Sequence, residues 1–220
     1  MPREKIEKFM RYAIDNKKEK KSMKISLSEI RYVQVYLNMF RVLPYYYIVN
    51  HCRFKEKVKE DIDAWIRQAI DECDRNKHIR IVLFGYCLCK EKAFRNVMLN
   101  RLHRNPIKYI FGRLLFKPLD TLYINMSPEN INGGLYFQHG FSTIIAAKEI
   151  GKNCSINQQV TVGYNGDKNP IIGNNVKIGA GAIVIGKAIL NDNVTVGANS
   201  IVTKEIPQDS IVVGENRIIK

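Results

Sequence analysis

Residues 171–206 read IIGNNVKIGAGAIVIGKAILNDNVTVGANSIVTKEI, and this stretch decides the fold. Aliphatic residues recur in it at every sixth position: Ile172, Ile178, Val184, Leu190, Val196 and Val202. Four places after each of these stands a second small or apolar residue: Val176, Ala182, Ala188, Val194, Ser200 and Ile206. Upstream, the same spacing continues through Ile144, Ile150, Ile156 and Val162. A helix repeats about every 3.6 residues and a strand about every two, so this longer period predicts the stacked coils of a parallel β-helix.

One break in the period predicts a loop. After Val162 the next in-phase residue is Ile172 rather than residue 168, so one coil holds four extra residues. They fall in residues 163–170, GYNGDKNP, which are mostly turn-forming residues. Insertions in solenoid proteins often lie on the binding face, so we expect this loop to contribute to a site.

The chain is strongly basic, and the charge is uneven. The formal net charge of the 220 residues is +14. Residues 1–120 hold 27 of the 35 Lys and Arg residues, whereas residues 121–220 hold 8, nearly balanced by 7 acidic residues. From residue 121 onward, Gly, Asn, Val and Ile dominate the composition. We therefore predict a basic helical N-terminal domain over residues 1–120 and a β-helix domain over residues 121–220.

Two interpretations of the basic charge remain open. Residues 106–118, PIKYIFGRLLFKP, place aromatic side chains between cations, which favours peripheral contact with an anionic membrane surface. Alternatively, the charge forms a solvated face without a partner. No nucleic-acid-binding signature accompanies it, so we expect no nucleic acid partner. The chain shows neither a signal peptide nor an apolar run of about 18 residues, so we expect a cytoplasmic protein, at the inner face of the membrane under the first interpretation.

Cysteine and histidine usage argues against a metal site. The five cysteines include no C-x-x-C pair, which indicates reduced, structural thiols. Zinc sites in β-helices of this kind need about three histidine ligands, and His139 is the sole histidine of residues 121–220. We expect no metal.

The periodicity of the front half predicts helices. Residues 28–40 are expected to form one that is ended by Pro44, since proline disrupts helix interiors. Residues 56–70 form a clear amphipathic pattern. Residues 81–103 favour a single helix, although residues 81–84 also suit a buried strand.

Three motifs of the second half carry a family resemblance. They are LYFQHG at residues 135–140, IGAGA at residues 178–182 and VGANSIVTKEIP at residues 196–207. Residues 124–220 resemble the hexapeptide-repeat acyltransferases, most closely the serine acetyltransferases and their short relatives that acetylate polysaccharides. This resemblance implies a mainly β fold: a left-handed parallel β-helix preceded by a helical N-terminal domain. It also implies a homotrimer that uses acetyl-coenzyme A (acetyl-CoA) as co-substrate, with no metal.

The resemblance also implies site residues. His139 matches the general base of the family, and Asn125 stands where serine acetyltransferases hold an aspartate that orients this base. Contacts to the acceptor are implied for Lys168 and Asn169. Contacts to acetyl-CoA are implied for Gly163, Ala180, Ala198, Lys204, Arg217 and Lys220.

This chemistry also agrees with the residues themselves. Direct acetyl transfer from a thioester to a hydroxyl requires one base near neutrality, together with hydrogen-bond donors for the oxyanion. Imidazole is such a base, so the sequence points to His139. The phosphates of the coenzyme require cations such as Lys204.

The expected acceptor follows from departures of the chain from the serine acetyltransferase pattern at the acceptor side. Asn125 lacks the charge that would stabilise an imidazolium, unless a carboxylate such as Glu129 replaces it. Lys168 stands where the family has an arginine, and lysine is a poorer bidentate partner for a carboxylate. We therefore expect a sugar hydroxyl of a surface polysaccharide or its precursor as the acceptor. L-Serine, as in cysteine biosynthesis, is the alternative, and a catalytically silent scaffold is a further one.

Overall fold

The computed structural model describes residues 31–214. Ser28, Arg217 and Lys220 lie outside the described residues. Seven helices precede the strands in the described part of the chain: α1 (residues 31–37), α2 (Met39–Asn50), α3 (Lys55–Ala69), α4 (Glu72–Lys77), α5 (Arg80–Lys90), α6 (Lys92–Leu102) and α7 (Pro106–Leu115).

Two of the helix predictions need correction. Pro44 lies inside α2 and does not end it, because Val42, Tyr45 and Val49 bury one face of the helix in the core. Residues 81–103 are helical, which excludes the strand alternative, but they form two helices that meet at Glu91. The break lets α6 pack on α5, with the rings of Phe84 and Phe94 edge to face at 5.6 Å. The amphipathic helix predicted over residues 56–70 is confirmed as α3.

The second half is a parallel β-solenoid of about five turns, which confirms the predicted β-helix. Its strands form three parallel sheets. Sheet A contains β1 (Leu122–Ile124), β3 (Thr143–Ile145), β6 (Thr161–Gly163), β9 (Ile183–Ile185) and β12 (Ile201–Val202). Sheet B contains β4 (Glu149–Ile150), β7 (Ile171–Ile172), β10 (Ile189–Leu190) and β13 (Glu205–Ile206). Sheet C contains β2 (Tyr136–Phe137), β5 (Ser155–Ile156), β8 (Lys177–Ile178), β11 (Thr195–Val196) and β14 (Ile211–Val212).

The six-residue period is the spacing of one sheet to the next, because each strand contributes one buried aliphatic residue. Register confirms the loop: Lys177 pairs with Thr195, 18 residues on, whereas Ser155 pairs with Lys177, 22 residues on. The four extra residues lie within an exposed loop over residues 164–169. An antiparallel bridge between Asn165 and Lys168 closes this loop.

The period fails at both ends of the solenoid. In the first coil Ile144 is 47% exposed and Ile145 is buried, so the predicted phase is wrong there by one residue. In the last coil Ile206 pairs with Leu190, only 16 residues before it. The turn around Lys204 is therefore two residues shorter than the equivalent turns, and Ile206 occupies a strand position of the core rather than a turn position.

The helical region packs against the first coil of the solenoid. One continuous hydrophobic core includes Trp65 and Phe94 of the helices together with Phe137 and Ile145 of the strands. The boundary predicted between residues 120 and 121 falls in the connection between α7 and β1. The core itself crosses this boundary.

Candidate active site

His139 lies at the centre of a tight turn between β2 and β3. Its φ of 66° is in the left-handed region, and the N–H of Gly140 donates to the carbonyl of Gln138 at 2.9 Å. A bond between residues two apart, with this φ, is typical of a γ-turn of the rare, strained kind. Such backbone strain, of about 1–3 kcal/mol, tends to persist at functional sites. The His139 side chain is exposed.

The turn of His139 belongs to one edge of the solenoid, which we call the C–A edge: the stacked turns from sheet C to sheet A. Gln138 donates its N–H to Ile156, and Asn157 donates to Ile178. Gly179 donates in turn to Val196. These bonds stack the turns of successive coils at roughly 4.8 Å per coil.

Two of the predicted acetyl-CoA contacts, Ala180 and Ala198, lie on the C–A edge with His139. Ala180 is two coils from His139, or about 10 Å at the usual strand spacing. The coils approach closely here, since a Cβ placed on Gly179 would lie 2.7 Å from the backbone nitrogen of Ala198. The structure therefore brings the predicted base and part of the predicted coenzyme groove onto one edge.

The other predicted residues within 31–214 lie on a second edge, which we call the A–B edge: the stacked turns from sheet A to sheet B. Asn125 donates its N–H to Ile145 at the end of β3, and Gly163 accepts from Gly186. The predicted site residues that lie on this edge are Asn125, Gly163, Lys168, Asn169 and Lys204. Sheet A separates the two edges, so within one protomer the structure does not bring Asn125 and His139 together.

A cavity of about 980 Å³ adjoins Asn125 and lies between α6, α7 and β1. The side chains of His103, Arg104, Arg113 and Tyr109 line it, and His139 does not. No sequence motif predicts this cavity, because its cationic lining comes from helices that carry no recognisable motif.

A buried ion pair holds the segment that leads to His139. Asp61 of α3 and Arg101 of α6 have fully buried side chains, and Arg101 Nε donates to Asp61 Oδ2 at 2.9 Å. Asp61 Oδ1 also accepts from the N–H groups of Gly134 and Leu135 at 2.8 and 3.1 Å. Burial raises the pKa of the Asp61 carboxyl, and the Arg101 guanidinium and these N–H groups oppose the rise.

Further side chains of α3 and α6 bind the same part of the first coil. The Nε1–H of Trp65 donates to the carbonyl of Leu135 at 2.8 Å. Asn96 donates to the carbonyl of Leu122, and Asn100 donates to that of Met126. The helical region therefore sets the position of β1 and of the strand that precedes His139.

The acidic residue beside His139 is Glu91, which the sequence analysis did not identify. Burial raises the pKa of the Glu91 carboxyl, and the nearby His139 imidazolium lowers it. Glu129 is held elsewhere: it accepts hydrogen bonds from Arg104 and Ser127, which lower its pKa to about 2.

Within residues 31–214, no cluster of three or more His, Cys, Asp or Glu side chains has the arrangement of a metal site. All five cysteines are free thiols. None of the helices in the described residues has the length and apolarity needed to span a membrane.

The solenoid, its hexapeptide repeats and the relatives below define the class of protein, a hexapeptide-repeat acyltransferase. The family description "Bacterial transferase hexapeptide (six repeats)" matches residues 169–204. The chain belongs to the serine acetyltransferase family: it is 39% identical over 169 residues to the serine acetyltransferase of Staphylococcus xylosus, a match that covers 74% of this chain and 76% of the relative.

Other relatives match over shorter stretches. The serine acetyltransferase of Helicobacter pylori (strain 26695) is 38% identical over 89 residues, which cover 38% of this chain and 52% of the relative. The Synechococcus elongatus enzyme is 40% identical over 86 residues, which cover 37% of this chain and 35% of the relative. The matched residues thus span about half or less of these two relatives.

Solved structures agree on the fold. Serine acetyltransferase of Neisseria gonorrhoeae in complex with serine has a TM-score of 0.51 at 25% identity, covering 74% of this chain and 67% of that chain. Entamoeba histolytica serine acetyltransferase 1 in complex with L-cysteine has a TM-score of 0.52 at 21% identity, covering 72% and 62%.

Proposed function

We propose that this acyltransferase moves the acetyl group of acetyl-CoA to the hydroxyl of L-serine, with His139 as the general base. The observation that carries the proposal is the exposed, strained His139 turn on the same edge as Ala180 and Ala198, in a chain of the serine acetyltransferase family. The sequence analysis favoured a sugar acceptor. The relatives favour L-serine, because the Staphylococcus xylosus protein is named a serine acetyltransferase and the Neisseria gonorrhoeae structure contains serine.

The mechanism needs one proton transfer in each direction. His139 takes the proton of the acceptor hydroxyl as its oxygen forms a bond to the thioester carbonyl carbon. The tetrahedral intermediate then breaks its carbon–sulfur bond, and His139 returns the proton to the departing thiolate. The products are the O-acetyl ester and free coenzyme A. A positioned base of this kind contributes about 10²–10⁴ in rate.

Four described residues are proposed to contact acetyl-CoA: Gly163, Ala180, Ala198 and Lys204. Ala180 and Ala198 offer small side chains where a pantetheine arm approaches the backbone. Gly163 leaves open space, since a Cβ there would have only Thr161 Cγ2 nearby, at 3.8 Å. The exposed Lys204 is proposed to meet the phosphates, a role that we also retain for Arg217 and Lys220.

The separation of the two edges supports a homotrimer. Sheet A exposes an apolar row between them, in which Tyr123, Ile144 and Ile201 are 60%, 47% and 66% exposed. The row is in register from coil to coil, through Thr161 and Ile183. Packing this row against a second copy would place the C–A edge of one protomer beside the A–B edge of its neighbour. His139 and Asn125 then meet across the interface.

The trimer is tested by charge substitution in this row. We expect Ile144→Glu and Ile201→Glu to yield monomers by light scattering and to lose acetyl transfer. Lys177→Glu on sheet C is the control and retains both properties. A monomeric variant with wild-type activity refutes the shared site.

The acetyl transfer itself is tested by coenzyme A release with L-serine. We expect His139→Ala to lower kcat by about 10²–10⁴ while acetyl-CoA still binds, as measured by calorimetry. His51→Ala, an exposed histidine at the end of α2, serves as the control. A wild-type protein that neither binds acetyl-CoA nor is stabilised by it refutes the transferase proposal and favours a silent scaffold.

A sugar hydroxyl is the second candidate acceptor, and the cavity beside Asn125 favours it. Its volume of about 980 Å³ greatly exceeds that of a serine molecule, and drug-sized ligands occupy about 300–1,000 Å³. Tyr109 and Arg113 in its lining suit a sugar ring and an anionic group. A panel of sugars and nucleotide sugars tests this candidate: a kcat/KM above that of L-serine overturns the main proposal.

We also propose peripheral contact of α7 with an anionic membrane surface. The residues Ile107, Ile110 and Leu114 are 80%, 58% and 77% exposed and share one face of the helix. Arg113, which is exposed, and Lys108 stand at opposite margins of this face. A cationic margin around an apolar helix face is typical of interfacial helices.

Vesicle co-sedimentation tests this contact. We expect binding to phosphatidylglycerol-containing vesicles that weakens in high salt and is lost in Ile107→Glu/Leu114→Glu. Ile211→Glu replaces an equally exposed isoleucine of sheet C and is the control. Equal vesicle binding by Ile107→Glu/Leu114→Glu and by Ile211→Glu contradicts the assignment of the membrane contact to α7.

A further inference from the structure

Asn125, the residue proposed to meet His139 across the protomer interface, carries no charge. A neutral amide can accept a hydrogen bond but cannot balance the charge of an imidazolium. Any carboxylate that serves His139 must therefore come from another part of the chain. Glu129 is not available, because Arg104 and Ser127 hold it beside the cavity.

Glu91 occupies the junction of α5 and α6, two residues before a contact with the His139 turn. Its N–H donates to Cys87 at 2.9 Å, and its carbonyl accepts from Phe94 at 3.1 Å, so the backbone here is anchored at both ends. Two residues on, the Cβ of Ala93 lies 3.0 Å from the position that a Cβ on Gly140 would occupy. The start of α6 is thus in close contact with the residue that follows His139.

The charge around Glu91 is also unusual. Its side chain is half-buried, and within residues 31–214 no Lys, Arg or His side chain makes a salt bridge to it. Burying a carboxylate without a cationic partner is unfavourable, and such groups are concentrated at functional sites. Burial raises the pKa of the Glu91 carboxyl, and the opposing effect comes from the positive charge of His139.

The other titratable groups around Glu91 do not replace His139 as its charged neighbour. Tyr136 of β2 and Cys87 of α5 both have a pKa raised by burial, so both are neutral near physiological pH. Lys92, the next residue, is exposed. Burial also raises the pKa of Tyr86 of α5, so this third neighbour of Glu91 is neutral as well.

We propose that Glu91 is the positioning residue of His139, supplying from the α5–α6 junction the negative charge that Asn125 lacks. The carboxylate stabilises, through space, the imidazolium that forms when His139 takes the acceptor proton. Glu91 touches neither substrate in this role and acts through His139. The catalytic part of the inference rests on the proposed acetyl transfer, whereas the electrostatic coupling of Glu91 to His139 does not.

The test compares wild type with Glu91→Gln, Glu91→Asp and the control Glu149→Gln, which removes an exposed carboxylate on sheet B. In Glu91→Gln we expect kcat to fall about tenfold at the pH optimum, with an unchanged KM for acetyl-CoA. Loss of the negative charge makes protonation of the imidazole less favourable, so the acidic limb of the pH–rate profile moves to lower pH. Glu91→Asp keeps the charge and retains the wild-type limb.

A second readout does not depend on activity. NMR titration of the His139 ring should show a lower midpoint in Glu91→Gln than in wild type, and no change in Glu149→Gln. Equal midpoints overturn the inference, as does a fall in kcat without a shift of the acidic limb, which would indicate a purely structural role. If the midpoint shifts but wild type acetylates no acceptor, the coupling stands and the proposed function fails.

Discussion

The buried pair of Asp61 and Arg101 offers the sharpest test of how the helical region supports the site. Asp61→Asn removes the negative charge with almost no change in volume. Arg101 then remains a buried cation whose Nε and Nη2 bonds have lost their ionised partner. The N–H groups of Gly134 and Leu135 also lose a charged acceptor.

The expected magnitude follows from these contacts. Breaking one partner of a buried pair costs about 3–5 kcal/mol, since an uncompensated charge stays buried. In a chain of this size each kcal/mol lowers the melting temperature by about 2–4 °C. We therefore expect a fall of roughly 6–20 °C for Asp61→Asn. The same substitution at Asp63, two residues on, is the matched control: its partner is Arg80, both side chains are over 40% exposed, and such pairs contribute only about 0–1 kcal/mol.

The assay is thermal unfolding followed by circular dichroism, together with coenzyme A release below the transition. We also expect a lower kcat in Asp61→Asn, because Asp61 holds the segment that leads into the His139 turn. A shift no larger than that of Asp63→Asn would refute the reasoning. A folded Asp61→Asn with wild-type kcat would show that the pair stabilises the protein without positioning the site.

Three further predictions concern single side chains. Gly163→Ala should leave the melting temperature unchanged, since the new Cβ would meet only Thr161 at 3.8 Å. The same variant should raise the KM for acetyl-CoA about tenfold. An unchanged KM would exclude Gly163 from the coenzyme groove. With a thiol reagent at neutral pH the exposed Cys73 should react rapidly, whereas Cys154, whose pKa burial raises to about 12, should react only on unfolding, as mapped by mass spectrometry. Hydrogen bonds lower the pKa of Glu129 from 4.5 to about 2, so its stabilising contribution is present above pH 4.5 and is lost as the pH falls toward 2. Glu129→Gln should therefore show a smaller fall in melting temperature over that range, and an equal fall would contradict the assignment.

Local periodicity was enough to predict the solenoid, because every coil repeats the same requirement: one buried aliphatic residue on each strand. The same argument placed four additional residues within 163–170, and the structure has an exposed loop there over residues 164–169. It failed at Ile144 and Ile206, at the two ends of the stack. There a coil has only one regular neighbour, so its turns can shorten or shift without disturbing a second coil.

The helical region was less predictable. Amphipathic spacing correctly identified α3, but neither the proline inside α2 nor the break at Glu91 was expected. Both depend on which distant residues pack against the helix: burial of Val42 and Tyr45 keeps α2 continuous through Pro44. Local propensity is a weak preference that such packing routinely overrides.

By itself, the sequence determined the repeating fold, the family resemblance and the candidate base His139, because each depends on the order of nearby residues. Only the tertiary structure decided which of the candidate residues share an edge, that sheet A separates His139 from Asn125, and that Glu91 and the Asp61–Arg101 pair stand behind the site. The edges follow from how the coils stack in register, whereas Glu91, Asp61 and Arg101 lie tens of positions before the turn that they support. Their proximity is set by the packing of α3 and α6 on the first coil, and no local pattern encodes it.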